Sequence, residues 1–396
     1  MDKDELVTLL STEGLRLLDE LPPYGCADGV VRVVSELRAA GHSASLVAAV
    51  LTQARLRKRA AVKFGEFAQR MLFTDAGLEQ ATRLSVAALH ANRYRAAGLQ
   101  RVADLGCGIG GDALAMAALD LDVTAVELDE LTAAIAAYNL APWPNAQVVN
   151  ADATGVDLTG FDGIWLDPAR RTTASGATIH RSRNPNDWSP SLDVAFERAE
   201  RIPTGIKLGP GVDREIIPSD AEAQWVSVDG DVVELALWFG ILARPGVRRA
   251  ATVIGAHGKA ELVSNSDSDD VDVRELGEFM YEPDGAVIRA RLIGDLGRQL
   301  GAGMVSEGIA WLTSADAVDT PFASRFRVKE CIPYDVKALK RLVKAHDIGV
   351  LEIKKRGVDV DPAALRKTLA PKGKNHATII LTRVQGRRSA LLADRD

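Results

Sequence analysis

Apolar residues recur at helical spacing through the first quarter of the chain. Such groups lie at residues 6–10, 30–37 and 46–54, and Pro22-Pro23 separates the first group from the second. Apolar positions three and four residues apart share one face of a helix, so each group predicts an amphipathic helix. The pattern therefore predicts an N-terminal helical domain over residues 1–97.

From Gln100 onward, short apolar runs with strand character alternate with helical segments. Strands are predicted at 101–105, 123–128, 147–150, 164–166 and 206–208, with helices at 112–119 and 130–139. Alternation of this kind is typical of a parallel, doubly wound sheet. Asp229-Gly230 lies between two further apolar runs and predicts an antiparallel hairpin after the fifth strand. The sequence thus predicts an α/β fold, a doubly wound (Rossmann-like) seven-stranded sheet, over residues 98–245.

The sequence pattern after residue 245 predicts two further regions. Residues 246–320 mix strand and helix patterns, with a hairpin-like stretch around Gly258. Residues 321–396 predict a compact α+β module with the order helix, strand, helix, strand, at 336–346, 349–353, 362–369 and 377–383. We therefore expect a connecting region followed by a small C-terminal domain.

Composition excludes several protein classes. The chain has 396 residues, of which 47% are hydrophobic and 26% charged, so it can bury more than one core. No apolar run is long enough for a membrane span, and the acidic N-terminus lacks the pattern of a signal peptide. Cys26, Cys107 and Cys331 are too far apart for a zinc motif or a disulfide framework. A cytoplasmic protein without a structural metal is the expectation.

Charge is unevenly distributed. The net charge is −6, yet from Thr320 to Asp396 there are 18 Lys and Arg residues against 8 Asp and Glu. A basic module on an acidic body favours contact with a polyanion, and the alternative is a solvated surface. Arg55, Arg59 and Lys63 form a second basic group on one face of the third helix, with the same two interpretations.

A glycine-rich loop follows the first strand of the predicted sheet. Glycine allows a tight turn and a close approach to a ligand, where a Cβ atom would collide. Glu127, at the end of the next strand, can accept hydrogen bonds from ribose hydroxyls. The spacing G-x-G-x-x-G is met by Gly106, Gly108 and Gly111, with Gly110 between them. Both a nicotinamide dinucleotide and S-adenosylmethionine are compatible with this pattern.

Three features favour S-adenosylmethionine. Asp104 lies two residues before the first glycine, where its carboxylate can meet a cationic amino group but would repel a pyrophosphate. Asp152, after the third strand, can accept a hydrogen bond from the adenine amino group. The antiparallel hairpin after the fifth strand differs from an all-parallel dinucleotide sheet. The predicted cofactor residues are Asp104, Gly106, Gly108, Gly110, Glu127 and Asp152.

The tetrapeptide Asp167-Pro168-Ala169-Arg170 ends the fourth strand at the carboxyl edge of the sheet, where ligands bind in open α/β folds. Methyl transfer is an in-line displacement, so the enzyme must align a lone pair with the methyl group. Asp167 and the Pro168 carbonyl can each accept an N–H of an amino group, which favours localisation of the nitrogen lone pair. Arg170 can stack on a base and suits a phosphate-bearing target. The alternative is that Asp167 caps a turn and Arg170 is a surface charge.

These motifs resemble a known family. DLGCGIGGD, VTAVELD, NAD and WLDPARR are similar to the motifs of class I S-adenosylmethionine-dependent methyltransferases over residues 98–242. LEQAT at 78–82, DPARR, and LEIKKRG near the C-terminus resemble, in that order, the methyltransferases with a THUMP-like C-terminal domain. The resemblance implies a methyltransferase sheet and a C-terminal module that delivers structured RNA.

The catalytic tetrapeptide departs from two related patterns. The core is similar to trimethylguanosine-synthase-like enzymes, but these carry S-P-P-W where this chain has Asp167-Pro-Ala-Arg170, so their substrate is not carried over. Amino-group methyltransferases use a related D-P-P-aromatic motif whose aromatic ring stacks on the base. Arg170 stands at that aromatic position.

The C-terminal module concentrates its basic residues on one helix and one turn. A stripe on the helix consists of Lys337, Lys340, Arg341 and Lys344, and the next strand ends in Lys354, Lys355 and Arg356. Such an arrangement suits a phosphate backbone. Aromatic residues are scarce here, so recognition of RNA by backbone and shape is favoured over base stacking.

The sequence therefore predicts a methyltransferase that uses S-adenosylmethionine and modifies a base nitrogen of RNA. A small-molecule or protein methyltransferase and a cofactor-binding protein without turnover remain alternatives. A nicotinamide-dependent oxidoreductase is a further one.

Overall fold

The computed structural model of the chain describes residues 2–21, 27–168, 171–172, 180–181, 188–256 and 258–396. Within these ranges the chain forms two compact units. The first unit contains residues 1–208 and 238–243, and the second contains residues 209–237 and 244–396. The four predicted regions, with boundaries after residues 97, 245 and 320, stay a prediction.

The described residues form helices and strands throughout both units. The α-helices are α1 (Lys3–Leu9), α2 (Thr12–Glu20), α3 (Ala27–Ala39), α4 (Ala44–Phe64), α5 (Asp75–Gln80), α6 (Leu84–Ala96), α7 (Gly111–Ala118), α8 (Glu130–Leu140), α9 (Leu192–Ala199), α10 (Gly285–Arg289), α11 (Ile293–Leu300), α12 (Val336–Ala345) and α13 (Pro362–Leu369). The strands are β1 (Arg101–Leu105), β2 (Asp122–Glu127), β3 (Ala146–Asn150), β4 (Gly163–Leu166), β5 (Arg171–Thr172), β6 (His180–Arg181), β7 (Thr204–Leu208), β8 (Glu222–Val228), β9 (Asp231–Trp238), β10 (Arg249–Gly255), β11 (Gly258–Ser264), β12 (Phe279–Pro283), β13 (Gly303–Ser306), β14 (Ile309–Ser314), β15 (Ala323–Pro333), β16 (Ile348–Lys355), β17 (Asn375–Val384) and β18 (Arg387–Arg395).

The first unit is built on a parallel sheet with the strand order β3-β2-β1-β4-β7. This is the order of a doubly wound α/β fold, in which successive strands are added on one side of β1 as far as β3 and then, from β4, on its other side. All four residues of β4 are buried, as expected for a parallel strand covered on both faces. The predicted doubly wound α/β fold class is confirmed, and the predicted strands match the observed ones to within two residues. The predicted count of seven strands stays a prediction.

Aromatic side chains fill the core behind β4 and β7. The ring of Trp165 lies 4.2 Å from that of His90 and 5.5 Å from that of Trp238, measured between centroids. The Tyr94 hydroxyl donates to the Ile164 carbonyl and accepts from the Gly205 N–H, so it joins the two strands. A Cβ atom on Gly205 would lie 2.6 Å from the Trp165 ring, which explains why this position of β7 is glycine.

The N-terminal helices belong to the same unit as the parallel sheet. The Gln53 side chain of α4 donates to the Phe73 carbonyl and accepts the Phe73 N–H. Asn139 of α8 accepts the Leu72 N–H at 2.7 Å and donates to the Leu72 and Ile109 carbonyls. These bonds satisfy buried backbone groups and fix residues 71–73 against the glycine loop.

The basic face of α4 has a structural use within this unit. Arg55 and Arg59 both form ion pairs with Asp75 at the start of α5. Lys63 donates to three carbonyls, those of Leu78, Glu79 and Ala81, each at 2.8 Å. Cations near the C-terminal end of a helix satisfy its unpaired carbonyls. The contacts of these three residues favour the structural interpretation over phosphate binding.

The second unit contains two predicted hairpins. Asp229 and Gly230 have φ angles of 52° and 87°, the left-handed conformation that a tight hairpin turn requires, and they connect β8 to β9. β10 and β11 form an antiparallel pair around Gly258, and β10 is parallel to β8.

A seven-stranded sheet with the order β13-β14-β12-β15-β18-β17-β16 forms the remainder of the second unit. Helices α12 and α13 pack on it through Leu339, Leu342, Leu365 and Leu369, which share a core cluster with β16, β17 and β18. The predicted bounds of both helices agree with the structure to within one residue. The long strands β15 and β18 are absent from the predicted order of the module, although residues 389–393 of β18 are all buried.

Candidate active site

The glycine loop turns back at the carboxyl end of β1. Gly106, Gly108 and Gly110 have φ angles of 89°, 55° and 85°, in the region that favours glycine. A Cβ atom on Gly106 would lie 3.1 Å from the Asp167 carbonyl oxygen, so the loop approaches the end of β4 closely. A Cβ atom on Gly108 would meet no atom within 4 Å, which leaves open space beside that part of the loop.

Glu127 is fixed to the glycine loop by two backbone donors. Its Oε2 accepts the Gly108 N–H at 3.0 Å, and its Oε1 accepts the Asp129 N–H at 2.9 Å. Burial raises the pKa of Glu127, while these hydrogen bonds act in the opposite direction. The predicted position of this carboxylate beside the loop is therefore observed.

Asp104 is a buried carboxylate with an unsatisfied oxygen. Its exposure is 1%, and Oδ2 has no hydrogen-bond partner among the residues that the structure describes. Burial raises the pKa of Asp104 well above its usual range, and the nearby Asp112 and Asp167 carboxylates raise it further. A buried carboxylate oxygen without a donor is costly, so this position favours a cationic ligand group.

A buried network adjoins Asp104, and sequence reasoning missed it. Asp112, on the first turn of α7, accepts from Thr82 Oγ1 at 2.7 Å and contacts His90 Nδ1 at 2.8 Å. Burial acts to raise the pKa of Asp112, but the hydrogen bond and charge of His90 lower it overall. The signal in the sequence is the acidic residue directly after Gly111, but nothing in the sequence pattern links it with His90.

Asp152 lies in solvent after β3 and caps a short turn. Its Oδ1 accepts from the Thr154 N–H at 2.8 Å and from Thr154 Oγ1 at 2.7 Å. These two hydrogen bonds lower the pKa of Asp152. The contacts of the described residues use only Oδ1, so the turn orients the side chain and leaves Oδ2 for a ligand.

Asp167 forms an ion pair that the sequence analysis did not identify. Its Oδ2 lies 2.6 Å from Lys207 Nζ. Leu166 and Ile206 are partners in the β4–β7 register, so Asp167 and Lys207 are the next residues of adjacent parallel strands. The side chain of Asp167 is 36% exposed and that of Lys207 only 13%. A single lysine within the apolar run Ile206–Leu208 was the available signal.

The other predicted catalytic positions are placed as follows. Pro168 is buried directly after Asp167. Arg170 lies outside the described residues. Trp188, in the loop that follows, is 6% exposed and is therefore a packing residue with little surface for a stacked base.

The residues around the glycine loop fit S-adenosylmethionine. The unsatisfied buried oxygen of Asp104 matches a cationic amino group, and Glu127 lies at the end of β2 where ribose hydroxyls are expected. The open space at Gly108 is one that a side chain would fill. Asp104 and Glu127 are both carboxylates, and negatively charged side chains agree with a sulfonium cofactor better than with a pyrophosphate.

The predicted substrate residues of the C-terminal module fall into two groups. Leu339, Leu342 and Val343 are buried on one face of α12. The opposite face exposes the basic stripe, which consists of Lys337, Lys340, Arg341 and Lys344. The strand residues are less available, because Lys354 Nζ lies 2.6 Å from Glu282 and Arg356 lies 3.8 Å from the same carboxylate. Lys355 is exposed.

Comparison with known proteins decides the family. Two proteins of Mycobacterium tuberculosis, from strains CDC 1551 and H37Rv, are each 33% identical to this chain over 341 residues. The match covers 83% of this chain and 90% of each relative, and both relatives are described as uncharacterized S-adenosylmethionine-dependent methyltransferases. The chain belongs to the S-adenosylmethionine-dependent methyltransferases. The predicted cofactor and enzyme class are thus confirmed.

Further comparisons concern the domains and fold of this methyltransferase. A family model described as THUMP domain-like matches residues 323–395, and a model of a domain of unknown function matches residues 2–60. A crystal structure from Porphyromonas gingivalis W83, described as that of an assigned methyltransferase, is similar to this chain with a TM-score of 0.72 and 20% sequence identity. The match covers 100% of this chain and 99% of that chain, so the two share a fold.

The described residues also bear on metal binding and on membrane association. Among the residues that the structure describes, no group of three or more His, Cys, Asp and Glu side chains is arranged to hold a metal ion. Within the same ranges, every helix is too short or too polar to cross a membrane.

Proposed function

We propose that this methyltransferase modifies RNA at an amino nitrogen of a base. The observation that carries the proposal is the position of Asp167, whose backbone lies against Gly106 while its carboxylate is held by Lys207. An acceptor nitrogen placed there would lie between the cofactor loop and a fixed hydrogen-bond acceptor. Positioning of this kind is the main requirement of an in-line displacement.

Within this proposal the protein binds and orients both partners. Asp104, Glu127 and Asp152 would hold S-adenosylmethionine, which when bound supplies a methyl group on a cationic sulfur. The Asp167 carboxylate accepts one N–H of the target amino group, and the Pro168 carbonyl accepts the other. These two hydrogen bonds favour localisation of the lone pair on the nitrogen instead of its delocalisation into the ring, so that the lone pair is available for attack.

The C-terminal module supports RNA as the substrate class. Its α12 helix presents four exposed cations in one stripe, and the segment that contains it matches the THUMP domain-like model. Among the described residues, none of the four makes an ion pair, so their charges remain available to phosphate groups. Contacts of this kind fix register on a nucleic acid without reading its sequence.

The proposal is tested by following the methyl group. The purified enzyme is incubated with radiolabelled S-adenosylmethionine and with total RNA, total protein or a small-molecule extract from cells that lack its gene. We expect label in RNA, and mass spectrometry of the digested nucleosides should place the methyl group on a base nitrogen. Asp167→Asn serves as the control that should abolish the labelled nucleoside.

Each alternative has its own outcome in the same assay. Label in the protein or small-molecule fraction alone would replace RNA by that substrate class. Binding of the cofactor without label in any fraction would favour a protein without turnover.

A further inference from the structure

We propose that an arginine-lined pocket in the second compact unit binds the phosphate of a nucleotide. The pocket has a volume of about 510 Å³ and lies outside the residues assigned to methyl transfer. Cavities of this size hold small organic ligands. The inference does not depend on the proposed RNA substrate, because nucleotide binding is a separate event and Arg356 is the one lining residue that also belongs to the predicted RNA-contacting set.

Part of the pocket lining is apolar. Val212, Val232, Ile288 and Trp225 all line it. The guanidinium carbon of Arg214 lies 5.7 Å from the centre of the Trp225 ring, within the range of a cation–π contact. These apolar side chains suit the flat, weakly polar face of a nucleobase, which an inorganic anion lacks.

Four arginines, Arg214, Arg289, Arg291 and Arg356, supply the charge of the pocket. Arg214 donates from Nη2 to Asp267 at 2.7 Å, but its buried Nε has no partner among the described residues. Arg289 makes no hydrogen bond or ion pair within the described ranges. Guanidinium groups with unused donors are the groups that bind phosphate oxygens in pairs.

The carboxylate of Asp267 is shared among several arginines. Asp267 is shared by Arg214, Arg249 and Arg291, the last at 4.0 Å. Hydrogen bonds from the first two lower the pKa of Asp267 overall, although its burial acts to raise it. A single carboxylate therefore already serves three arginines before Arg289 is considered.

Arg356, a further lining residue, has the same imbalance. Arg356 lies 3.8 Å from Glu282, and that carboxylate is already 2.6 Å from Lys354. Burial lowers the pKa of Arg356, while the charge of Glu282 acts to raise it. An anion with several acceptor oxygens would compensate more than one of these arginines, and a phosphate monoester provides them.

The test measures binding of uridine 5′-monophosphate by calorimetry, with saturating S-adenosylhomocysteine present so that the methyl-donor site is occupied. We expect saturable binding to the full-length wild type. Uridine, which lacks the phosphate, should show none, and inorganic phosphate should compete weakly. Absence of saturable binding by the nucleotide would overturn the proposal.

The arginines are tested by substitution with a matched control. Arg289→Gln with Arg291→Gln should weaken nucleotide binding by about tenfold or more, because each charge-assisted hydrogen bond contributes to affinity. Arg366→Gln with Arg387→Gln removes two exposed arginines elsewhere in the same unit and should leave the affinity unchanged. Equal losses in both double variants, or no loss in either, would contradict the assignment.

A second arm distinguishes a free nucleotide from a nucleotide unit of RNA. If RNA supplies the phosphate, a short oligouridylate should displace uridine 5′-monophosphate, and its affinity should depend on Arg289 and Arg291. If the ligand is a free nucleotide, the oligomer should fail to displace it. Asp167→Asn should bind the nucleotide normally in either case, so a failure of the proposed methylation is separable from a failure of this pocket.

Discussion

Lys207 Nζ lies 2.6 Å from Asp167 Oδ2, at the ends of two neighbouring parallel strands. The lysine is 13% exposed while the carboxylate is 36% exposed, so the cation supports the acid from the protein side. A charged pair with one partner nearly buried has a restricted set of rotamers. The pair therefore presents a carboxylate of defined orientation at the edge of the sheet, beside the cofactor loop.

Asp167→Asn separates binding from chemistry. The amide cannot accept hydrogen bonds at both of its terminal atoms, so alignment of the target nitrogen should fail. We expect methyl transfer to fall by about 100-fold or more, in the range of a lost acid or base group, with S-adenosylmethionine affinity nearly unchanged. Single-turnover kinetics and calorimetry measure the two quantities. Undiminished turnover would remove Asp167 from the mechanism.

Lys207 should act as a positioning residue. Lys207→Met removes the ion pair and should lower kcat with little change in KM for the methyl acceptor, because Asp167 loses its fixed orientation. Lys207→Arg restores a cation and should recover part of the loss. A Met variant that turns over like the wild type, or an Arg variant no better than the Met variant, would argue against this role.

The sequence predicted those parts of the site that depend on residues close together in the chain, and missed those that depend on residues far apart. Strand ends, the glycine loop and Glu127 are local features, and the periodic pattern located all of them. The pairing of Lys207 with Asp167 and of His90 with Asp112 depends on which strands and helices become neighbours. A pattern read along one chain does not contain that information.

The same reasoning explains the basic residues. Lys337, Lys340, Arg341 and Lys344 share a face because of helix periodicity alone, and the structure exposes all four. Lys354 and Arg356 form ion pairs with Glu282, a residue of β12 that lies far from them in sequence. The charge count was correct, yet it could not identify which cations were already paired.

Asp104→Asn should weaken cofactor binding and increase the free energy of unfolding. Burial raises the pKa of Asp104, so between its unfolded and folded pKa values the folded state keeps a proton that the unfolded state has lost. The wild type therefore loses stability as the pH rises through this window, by at most about 1.4 kcal/mol per pH unit. The Asn variant lacks this loss.

Urea unfolding without cofactor at about pH 5 and pH 8 measures the difference, since both lie above the ordinary pKa of an aspartate. We expect the advantage of the Asn variant to increase with pH. Its affinity for S-adenosylmethionine should fall at least tenfold, because the cationic amino group loses its carboxylate partner. A variant that is less stable at both pH values would mean that the native carboxylate is ionised and compensated.

Gly205→Ala tests the packing that supports the β4–β7 edge. Its Cβ atom would lie 2.6 Å from Trp165 and 2.7 Å from Trp238, so the rings must shift. Overpacking of this kind costs about 1–3 kcal/mol in the free energy of unfolding. Gly29→Ala is the matched control, because its Cβ atom on α3 would meet nothing within 4 Å and should be neutral or stabilising. Denaturation of both variants decides whether steric overlap is the cause.

The basic stripe of α12 should govern the salt dependence of RNA binding. If Lys337, Lys340, Arg341 and Lys344 contact phosphates, the logarithm of affinity should fall with the logarithm of salt concentration. The slope should be about −0.7 per contact for single strands and nearer −0.9 for a duplex, by analogy with DNA. Replacing all four by Gln should therefore flatten the slope and weaken all RNAs similarly.

The control for this stripe removes charge from another part of the molecule. Arg70→Gln with Arg95→Gln changes two exposed arginines of the first unit, and it should leave the slope of the wild type intact. Cofactor affinity should stay unchanged in the stripe variant, because Asp104, Glu127 and Asp152 belong to the other unit. A solvated helix face predicts one common slope for wild type, stripe variant and control. Filter binding at several salt concentrations distinguishes the two cases, and equal slopes would exclude α12 from RNA docking.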